Sequence, residues 1–237
     1  DGLGMNATEI GEVFGKWNTG RLNSYLIEIS EQVLKAADPI TGKPMVDMIV
    51  DRAGQKGTGK WSVIEAQTMG VAATAIEAAV AGRILSSQKP EREAAEKILG
   101  IPALADAPKD RAAFLADLEN ALLAAKIGAY AQGFAVMAAA SAEFGWNLPM
   151  PTIARIWRAG CIIRSQFLDE ITSAFTKDPD VANLIVTPAF AQMVKDTDAP
   201  LRRVVSYAAL SGLPVPALSS ALSYFDAYRR GRGTANL

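Results

Sequence analysis

The sequence contains no histidine and only one cysteine, Cys161. The lack of histidine excludes His-based acid–base catalysis, Ser-His and Cys-His nucleophile pairs, and most zinc, copper and haem sites. A single cysteine allows no internal disulfide and no four-cysteine metal cluster, which is typical of a reducing compartment. We therefore predict a cytoplasmic protein without a metal. We interpret Cys161 as a buried, inert thiol because no histidine could activate it.

The chain also has no excess of one charge and no long hydrophobic run. Its 24 Lys and Arg oppose 25 Asp and Glu, so the net charge is −1. Such a balance provides no bulk field for nucleic acid or an acidic membrane. No stretch approaches the eighteen or so consecutive apolar residues of a membrane span, and residues 1–6 do not resemble a signal peptide. We expect neither nucleic acid nor a membrane as a partner.

The composition of the 237 residues favours helices. Half of the residues are apolar, enough for a substantial core, and alanine is the commonest residue. Alanine occurs with Leu, Glu, Lys and Met rather than in alternating Val, Ile and Thr runs, so the predicted fold class is all-α. Helices are predicted over 60–69, 72–87, 111–144 and 161–175, among others. Residues 40–59, rich in glycine, are the least helical part, and the apolar run Met45–Val50 could pass for a strand.

An apolar pattern recurs at offsets of 141 to 143 residues. Leu3–Asn6 is echoed by Phe144–Asn147, and Tyr25–Ile29 by Phe167–Ile171. Chance patterning of amphipathic helices is one explanation. The other is an internal duplication, with repeat one at about 1–108 and repeat two at about 109–230. The first repeat would then be truncated, since a long helix precedes only the second copy.

The segment Gly54–Trp61 nearly matches a nucleotide-binding P-loop. The position that requires a hydroxyl is Trp61, and no second parallel strand is evident, so a true P-loop is not favoured. Flexible glycines before a helix, with Lys56, Thr58 and Lys60 nearby, would still suit an anion such as a phosphate ester. The alternative is a flexible loop with solvated lysines.

Arg83 falls on the apolar stripe of the predicted 72–87 helix. It either snorkels over the core edge or forms an internal ion pair, or it meets an anion. Lys126 would be a candidate Schiff-base or general-base lysine only if it lay in a cleft. The aromatic side chains of Tyr224, Phe225 and Tyr228 could stack on a base, but such a stripe more often packs a terminal helix.

Four strings of the sequence resemble one enzyme family. They are Asp51–Trp61, Glu77–Ser87, Arg158–Arg164 and Pro214–Pro216 followed by Tyr224–Arg229. In order and spacing they are similar to the all-helical C-terminal domain of decarboxylating 6-phosphogluconate dehydrogenases. The resemblance covers essentially the whole chain, 1–237. Gly82 stands where that family usually has alanine, and Pro90 where it usually has an acidic residue.

The resemblance implies an NADP-dependent, homodimeric oxidoreductase of the pentose phosphate pathway that converts 6-phosphogluconate to ribulose 5-phosphate and carbon dioxide. It further implies that Lys56, Thr58 and Arg83 bind the substrate, mainly its phosphate. No catalytic, cofactor-binding or metal-binding residue is assigned here, because the family's NADP-binding Rossmann domain, catalytic helix and C-terminal tail are not among these residues, which stop at Asn236 and Leu237. The chain alone is therefore expected to be inactive. The alternative is a free-standing, non-catalytic helical module for phosphate binding or dimerisation.

Overall fold

The computed structural model describes residues 2–235 and confirms the all-α fold class. Within this range there are eleven α-helices and one short 3-10 helix, and the only β-type pairings are two isolated bridges. Asp1, Asn236 and Leu237, which the sequence analysis also used, lie outside the described residues.

The described residues form two compact units, each built from two stretches of chain. The first unit combines the chain up to Asp51 with Pro149–Val181, and the second combines Arg52–Leu148 with the chain from Ala182 onward. The helices of the first unit are α1 (Ala7–Asn18), α2 (Tyr25–Lys35), α3 (Met45–Met48), α8 (Met150–Ile156) and α9 (Phe167–Lys177). The helices of the second unit are α4 (Thr58–Thr68), α5 (Thr74–Ser87), α6 (Lys89–Leu99), α7 (Arg111–Phe144), the 3-10 helix Leu184–Val186, α10 (Pro188–Leu210) and α11 (Pro216–Tyr228).

Within the first unit, α1 packs on α2 and α8 packs on α9. Helix α1 begins with a capping box, in which the side chains of Asn6 and Glu9 each accept the other's backbone N–H. Ser24 and Ser165 form an antiparallel bridge and lie 141 positions apart in the chain, which matches the offset of the predicted duplication. The duplication and the division near residue 108 stay predictions. The buried apolar residues of this unit include Leu22, Ile27, Phe167, Leu168 and Ile171.

The long helix α7 is central to the second unit and packs against α5, α10 and α11. It begins where the Asp110 carboxylate accepts the Ala113 N–H at 2.9 Å and ends at Gly145 in the left-handed conformation, φ +65°. Small residues let its neighbours approach closely, since a Cβ on Gly128 would lie 3.3 Å from the Phe225 ring. The helix continues through Gly128 and Gly133 without interruption.

Helix α7 is also long and apolar enough to cross a membrane, judged by length and composition alone. Core helices of soluble proteins meet the same criteria, and 44% of its most apolar window is buried inside the protein. Its buried residues include Leu123, Ile127 and Phe134, which are almost inaccessible to solvent. These properties are those expected of a core helix in a helical unit.

The structure corrects three sequence-based boundaries. Met45–Val50 is not a strand, because no neighbouring strand is present in residues 2–235 to satisfy its backbone, and Met45–Met48 instead form one helical turn, α3. Helix α4 begins at Thr58 rather than residue 60, directly after Gly57 turns the chain at φ +104°. Helix α9 begins at Phe167, because residues 161–163 form turns after Gly160, φ +67°.

Candidate functional site

Lys56, Thr58 and Arg83 line one cavity of about 470 Å³ in the second unit. Lys56 lies in the loop of residues 52–57, Thr58 is the first residue of α4, and Arg83 lies in the second half of α5. The structure therefore brings together all three residues selected from the sequence. The remaining lining is mainly small and aliphatic: Gly54, Gln55, Gly59, Ala75, Ile76, Ala79, Val80, Ala125, Ala129 and Ala217.

The start of α4 presents free backbone donors to this cavity. Gly57 precedes the helix, no side chain caps its first turn, and that turn contains no acidic residue. The N–H groups of the first turn of a helix have no intrahelical acceptor and carry the positive end of the helix dipole. A Cβ on Gly59 would lie only 2.9 Å from Val80 Cγ2, so glycine is needed for α4 to approach α5 this closely. The resulting geometry suits an anion at the helix start.

Arg83 is exposed and bonds to the loop rather than to an acidic partner. Its Nε donates to the Gly54 carbonyl at 3.0 Å, and within the described residues it forms no ion pair. The predicted apolar stripe on which it lies is only partly buried. Ile76, Ala79 and Val80 of that stripe line the cavity beside Arg83, and Ile84 is 44% exposed. The described residues thus give Arg83 no internal ion pair, and its interaction with an anion stays a prediction.

The charge of the lining is positive. Two cationic residues, Lys56 and Arg83, line the cavity together with Thr58, and no acidic residue is among the described lining residues. A dianionic group would gain charge-assisted hydrogen bonds from all of these donors. A nucleotide P-loop is not supported, because that motif follows a parallel strand and residues 2–235 contain no such strand. The cationic lining residues and the uncapped start of α4 would suit a small anion.

Two residues that bond to elements around the cavity were missed from the sequence. Gln132 of α7 is fully buried; its Oε1 accepts the Ala75 N–H at 3.0 Å and its Nε2 donates to Thr74 Oγ1 at 3.3 Å. It thereby caps α5, which has no cap of its own. Ser86 bonds to Ala53 in the loop. A polar glutamine within an alanine-rich helix sequence indicates a buried hydrogen-bond partner, so Gln132 could have been found from the sequence. Nothing in the sequence around Ser86 indicates its bond to Ala53.

The other candidates from the sequence lie outside the cavity lining. Lys126 is half-buried and has an interaction partner, and the α7 residues that line the cavity are Ala125 and Ala129. Cys161 is not buried as predicted but partly exposed, because it lies in a turn.

The terminal aromatic residues pack, as the alternative to base stacking predicted. Tyr224 and Phe225 are buried, and the Tyr224 hydroxyl accepts a hydrogen bond from Asn183 Nδ2 at 2.8 Å. Burial raises the pKa of Tyr224. Tyr228 is partly exposed. Tyr224 and Phe225 thus belong to the packing of α11.

Comparison with known proteins identifies the family. The family model for the 6-phosphogluconate dehydrogenase C-terminal domain matches residues 1–237. The chain therefore belongs to the 6-phosphogluconate dehydrogenase C-terminal domain family, as the resemblance of its motifs predicted.

Individual relatives are named as 6-phosphogluconate dehydrogenases. The chain is 50% identical to Saccharomyces cerevisiae 6-phosphogluconate dehydrogenase, decarboxylating 2, over 97% of its own length and 46% of the relative. Two Bacillus subtilis relatives, each 44% identical over 99% of the chain and 50% of the relative, are named as NAD(+)-dependent and NADP(+)-dependent enzymes. The chain thus spans about half the length of the curated relatives that it matches.

A solved structure shows the same fold. Plasmodium falciparum 6-phosphogluconate dehydrogenase, determined in its apo form, with its cofactor NADP+ and with its substrate 6-phosphogluconate, superposes with a TM-score of 0.94 at 39% identity. The match covers 98% of this chain and 50% of the Plasmodium chain.

Proposed function

We propose that these residues contribute the substrate-phosphate site of a decarboxylating 6-phosphogluconate dehydrogenase. The full-length protein would oxidise 6-phosphogluconate to ribulose 5-phosphate and carbon dioxide with NADP as hydride acceptor. Lys56, Thr58 and Arg83 would bind the phosphate. The observation that carries the proposal is the convergence of these three side chains on one cavity at the start of α4.

The site supplies binding and orientation rather than chemistry. Lys56 and Arg83 would neutralise a phosphate while the Thr58 hydroxyl and the first amides of α4 donate hydrogen bonds to its oxygens. The phosphate is remote from the carbon that is oxidised, so these contacts mainly hold the substrate in place for the reacting groups. We assign no catalytic role to any of the lining residues.

NADP does not fit the described residues. A dinucleotide usually binds where a β-strand leads through a glycine-rich turn into a helix, and residues 2–235 contain no such strand. When bound, NADP supplies the hydride chemistry. We assign none of its contacts to this chain. The preference for NADP over NAD rests on the names of relatives, which include both kinds.

The test is steady-state kinetics of the full-length gene product. We expect it to reduce NADP in the presence of 6-phosphogluconate and to release carbon dioxide. Lys56→Ala and Arg83→Ala should each raise KM for 6-phosphogluconate by about tenfold or more, with a smaller effect on kcat, because removing a contact to a remote phosphate mainly weakens uniform binding.

Lys60→Ala is the matched control. Lys60 lies in the first turn of α4 and is exposed, but it is not among the cavity-lining residues. We expect it to change KM by less than about twofold, since an exposed charge outside the site is largely screened. Equal effects of all three substitutions would contradict the assignment of the site. Phosphate binding without any turnover would instead support the non-catalytic module.

Two further assignments are part of the proposal. A homodimer is supported by apolar side chains exposed on the second unit, such as Ile98 and Leu99, each 82% exposed. A cytoplasmic location stays a prediction based on the single cysteine.

A further inference from the structure

We infer that Ser86 is a positioning residue that holds the phosphate-binding loop in place from the last turn of α5. The inference rests on the proposed function, because it concerns the same loop. Ser86 does not line the cavity and would not touch a bound phosphate. Its effect would pass through the backbone of Ala53 and Gly54 to Lys56 and Thr58.

The Ser86 hydroxyl satisfies both backbone groups of one loop residue. It accepts the Ala53 N–H at 3.0 Å and donates to the Ala53 carbonyl at 3.2 Å. A hydroxyl has one donor and two acceptor positions, so a single side chain can serve both. Ser86 and Ala53 are half-buried, which limits the water available to replace either bond.

This behaviour differs from that of neighbouring hydroxyls. The side chains of Ser62 and Thr68 in α4 donate to carbonyls four residues earlier in their own helix, and that of Ser87 donates to the Ile84 carbonyl. Such local bonds are usual for Ser and Thr within helices. Ser86 instead reaches a residue 33 positions away in the chain.

Arg83 lies one helical turn before Ser86 and continues the same attachment. Its Nε donates to the Gly54 carbonyl, so two successive loop residues are bonded to one face of α5. The backbone carbonyl of Ser86 in turn accepts from Arg92 Nη2 at 3.2 Å. The bond from Arg92 fixes the C-terminal end of α5, to which the loop is attached.

Beyond Gly54 the loop has little other support. Gln55 and Lys56 form no hydrogen bond within the described residues, and the next bond is from Trp61 N–H to the Gly57 carbonyl. The position of Lys56 therefore depends on the attachment at Ala53 and Gly54 on one side and on α4 on the other. Loosening one attachment would leave the ligand to order the loop when it binds, which weakens binding.

The test uses the full-length enzyme and the Ser86→Ala variant. We expect KM for 6-phosphogluconate and the inhibition constant of inorganic phosphate to rise by about tenfold, the order expected for losing one or two net hydrogen bonds. KM for NADP should stay within about twofold of the parent, and kcat should fall much less than KM rises. Ser86→Thr, which keeps the hydroxyl, should restore most of the binding.

Ser87→Ala is the matched control, because it removes the adjacent hydroxyl, which bonds only within α5. It should leave all constants near those of the parent. If Ser86→Ala does not yield folded protein, the same constants are measured for Ser86→Cys. A thiol has a similar shape but is a weak donor and acceptor, so we expect KM for 6-phosphogluconate to rise in this variant as well.

The outcomes separate the two proposals. Unchanged constants in Ser86→Ala, with raised KM in Lys56→Ala and Arg83→Ala, would overturn the role of Ser86 and leave the phosphate site intact. Unchanged constants in all three variants would overturn both. A joint loss of kcat, NADP binding and thermal stability in Ser86→Ala would show a general structural role and also overturn the inference.

Discussion

Glycines in the second unit show how single residues decide its local packing. Gly57 has φ +104°, a conformation that L side chains rarely adopt, and it lets α4 begin at Thr58. Gly59 is needed for a different reason, since its missing Cβ leaves room for Val80. Gly82 has neither a positive φ nor a neighbour that would exclude a Cβ. An added Cβ there would lie 3.5 Å from Pro216 Cγ, an ordinary van der Waals contact.

Gly82→Ala is therefore expected to stabilise the protein. Alanine in a helix interior is favoured over glycine by about 0.5–1 kcal/mol, and the added methyl gains contact with Pro216 without displacing it. Thermal or urea unfolding of the full-length protein measures the change in the free energy of unfolding.

Gly59→Ala serves as the comparison, because its Cβ would lie 2.9 Å from the β-branched, stiff Val80 side chain. We expect it to destabilise by about 1–3 kcal/mol. Equal effects of the two substitutions would show that space around the glycine does not control the outcome.

At the scale of elements, an ionic network joins α10 to α11. Arg202 and Arg229 each pair with both Asp198 and Asp226. Hydrogen bonds from Arg202 and then Arg229 hold the pKa of Asp198 below its ordinary value of 3.8. The arginine side chains are more than 40% exposed, so solvent screens much of this interaction.

The lowered pKa of Asp198 determines a dependence of stability on pH. A carboxyl group whose pKa is lower in the folded state contributes stability above the unfolded value, and this contribution is lost as pH falls through the folded pKa. Asp198→Asn should lower the free energy of unfolding near neutral pH by less than about 1 kcal/mol. The difference from the parent should shrink as pH falls below about 3.8 and vanish only below the folded pKa, which is lower.

Unfolding midpoints measured across pH and at two salt concentrations check this expectation. Asp180→Asn is the control, because Asp180 is exposed and forms no ion pair in the described part of the chain. A pH-independent effect of Asp198→Asn would contradict the electrostatic explanation.

At the scale of the whole molecule, the exposed apolar surface requires an explanation. Ile98 and Leu99 at the end of α6 are each 82% exposed, and Ile101 is 71% exposed. Three such side chains within four positions form a patch that water solvates poorly, which is typical of an interface between subunits.

We expect the full-length protein to sediment as a dimer at about ten micromolar, since obligate interfaces persist at such concentrations. If α6 lies in the interface, Leu99→Asp should shift the protein toward the monomer, because an unpaired carboxylate in an apolar interface is costly. Lys97→Asp, which places the same group on the neighbouring exposed position, should have a smaller effect. A stable monomer of the parent at this concentration would contradict the proposed dimer.

The sequence by itself determined those features whose physical cause is local. Helix propensity and capping residues such as Asn6 and Asp110 act within a few positions, so the all-α fold and several helix ends were predictable. The unusual composition of Gly54–Lys60 indicated a candidate anion loop with Lys56, Thr58 and Lys60. Motif order identified the family.

Tertiary structure alone decided features that depend on contacts between distant residues. Met45–Val50 has the composition of a strand, yet residues 2–235 contain no partner strand for it. Arg83 meets Gly54 and Ser86 meets Ala53 across 29 and 33 positions, and Gln132 caps α5 from 57 positions away. No local pattern encodes such pairs, because each bond forms only after α4, α5 and α7 have packed together.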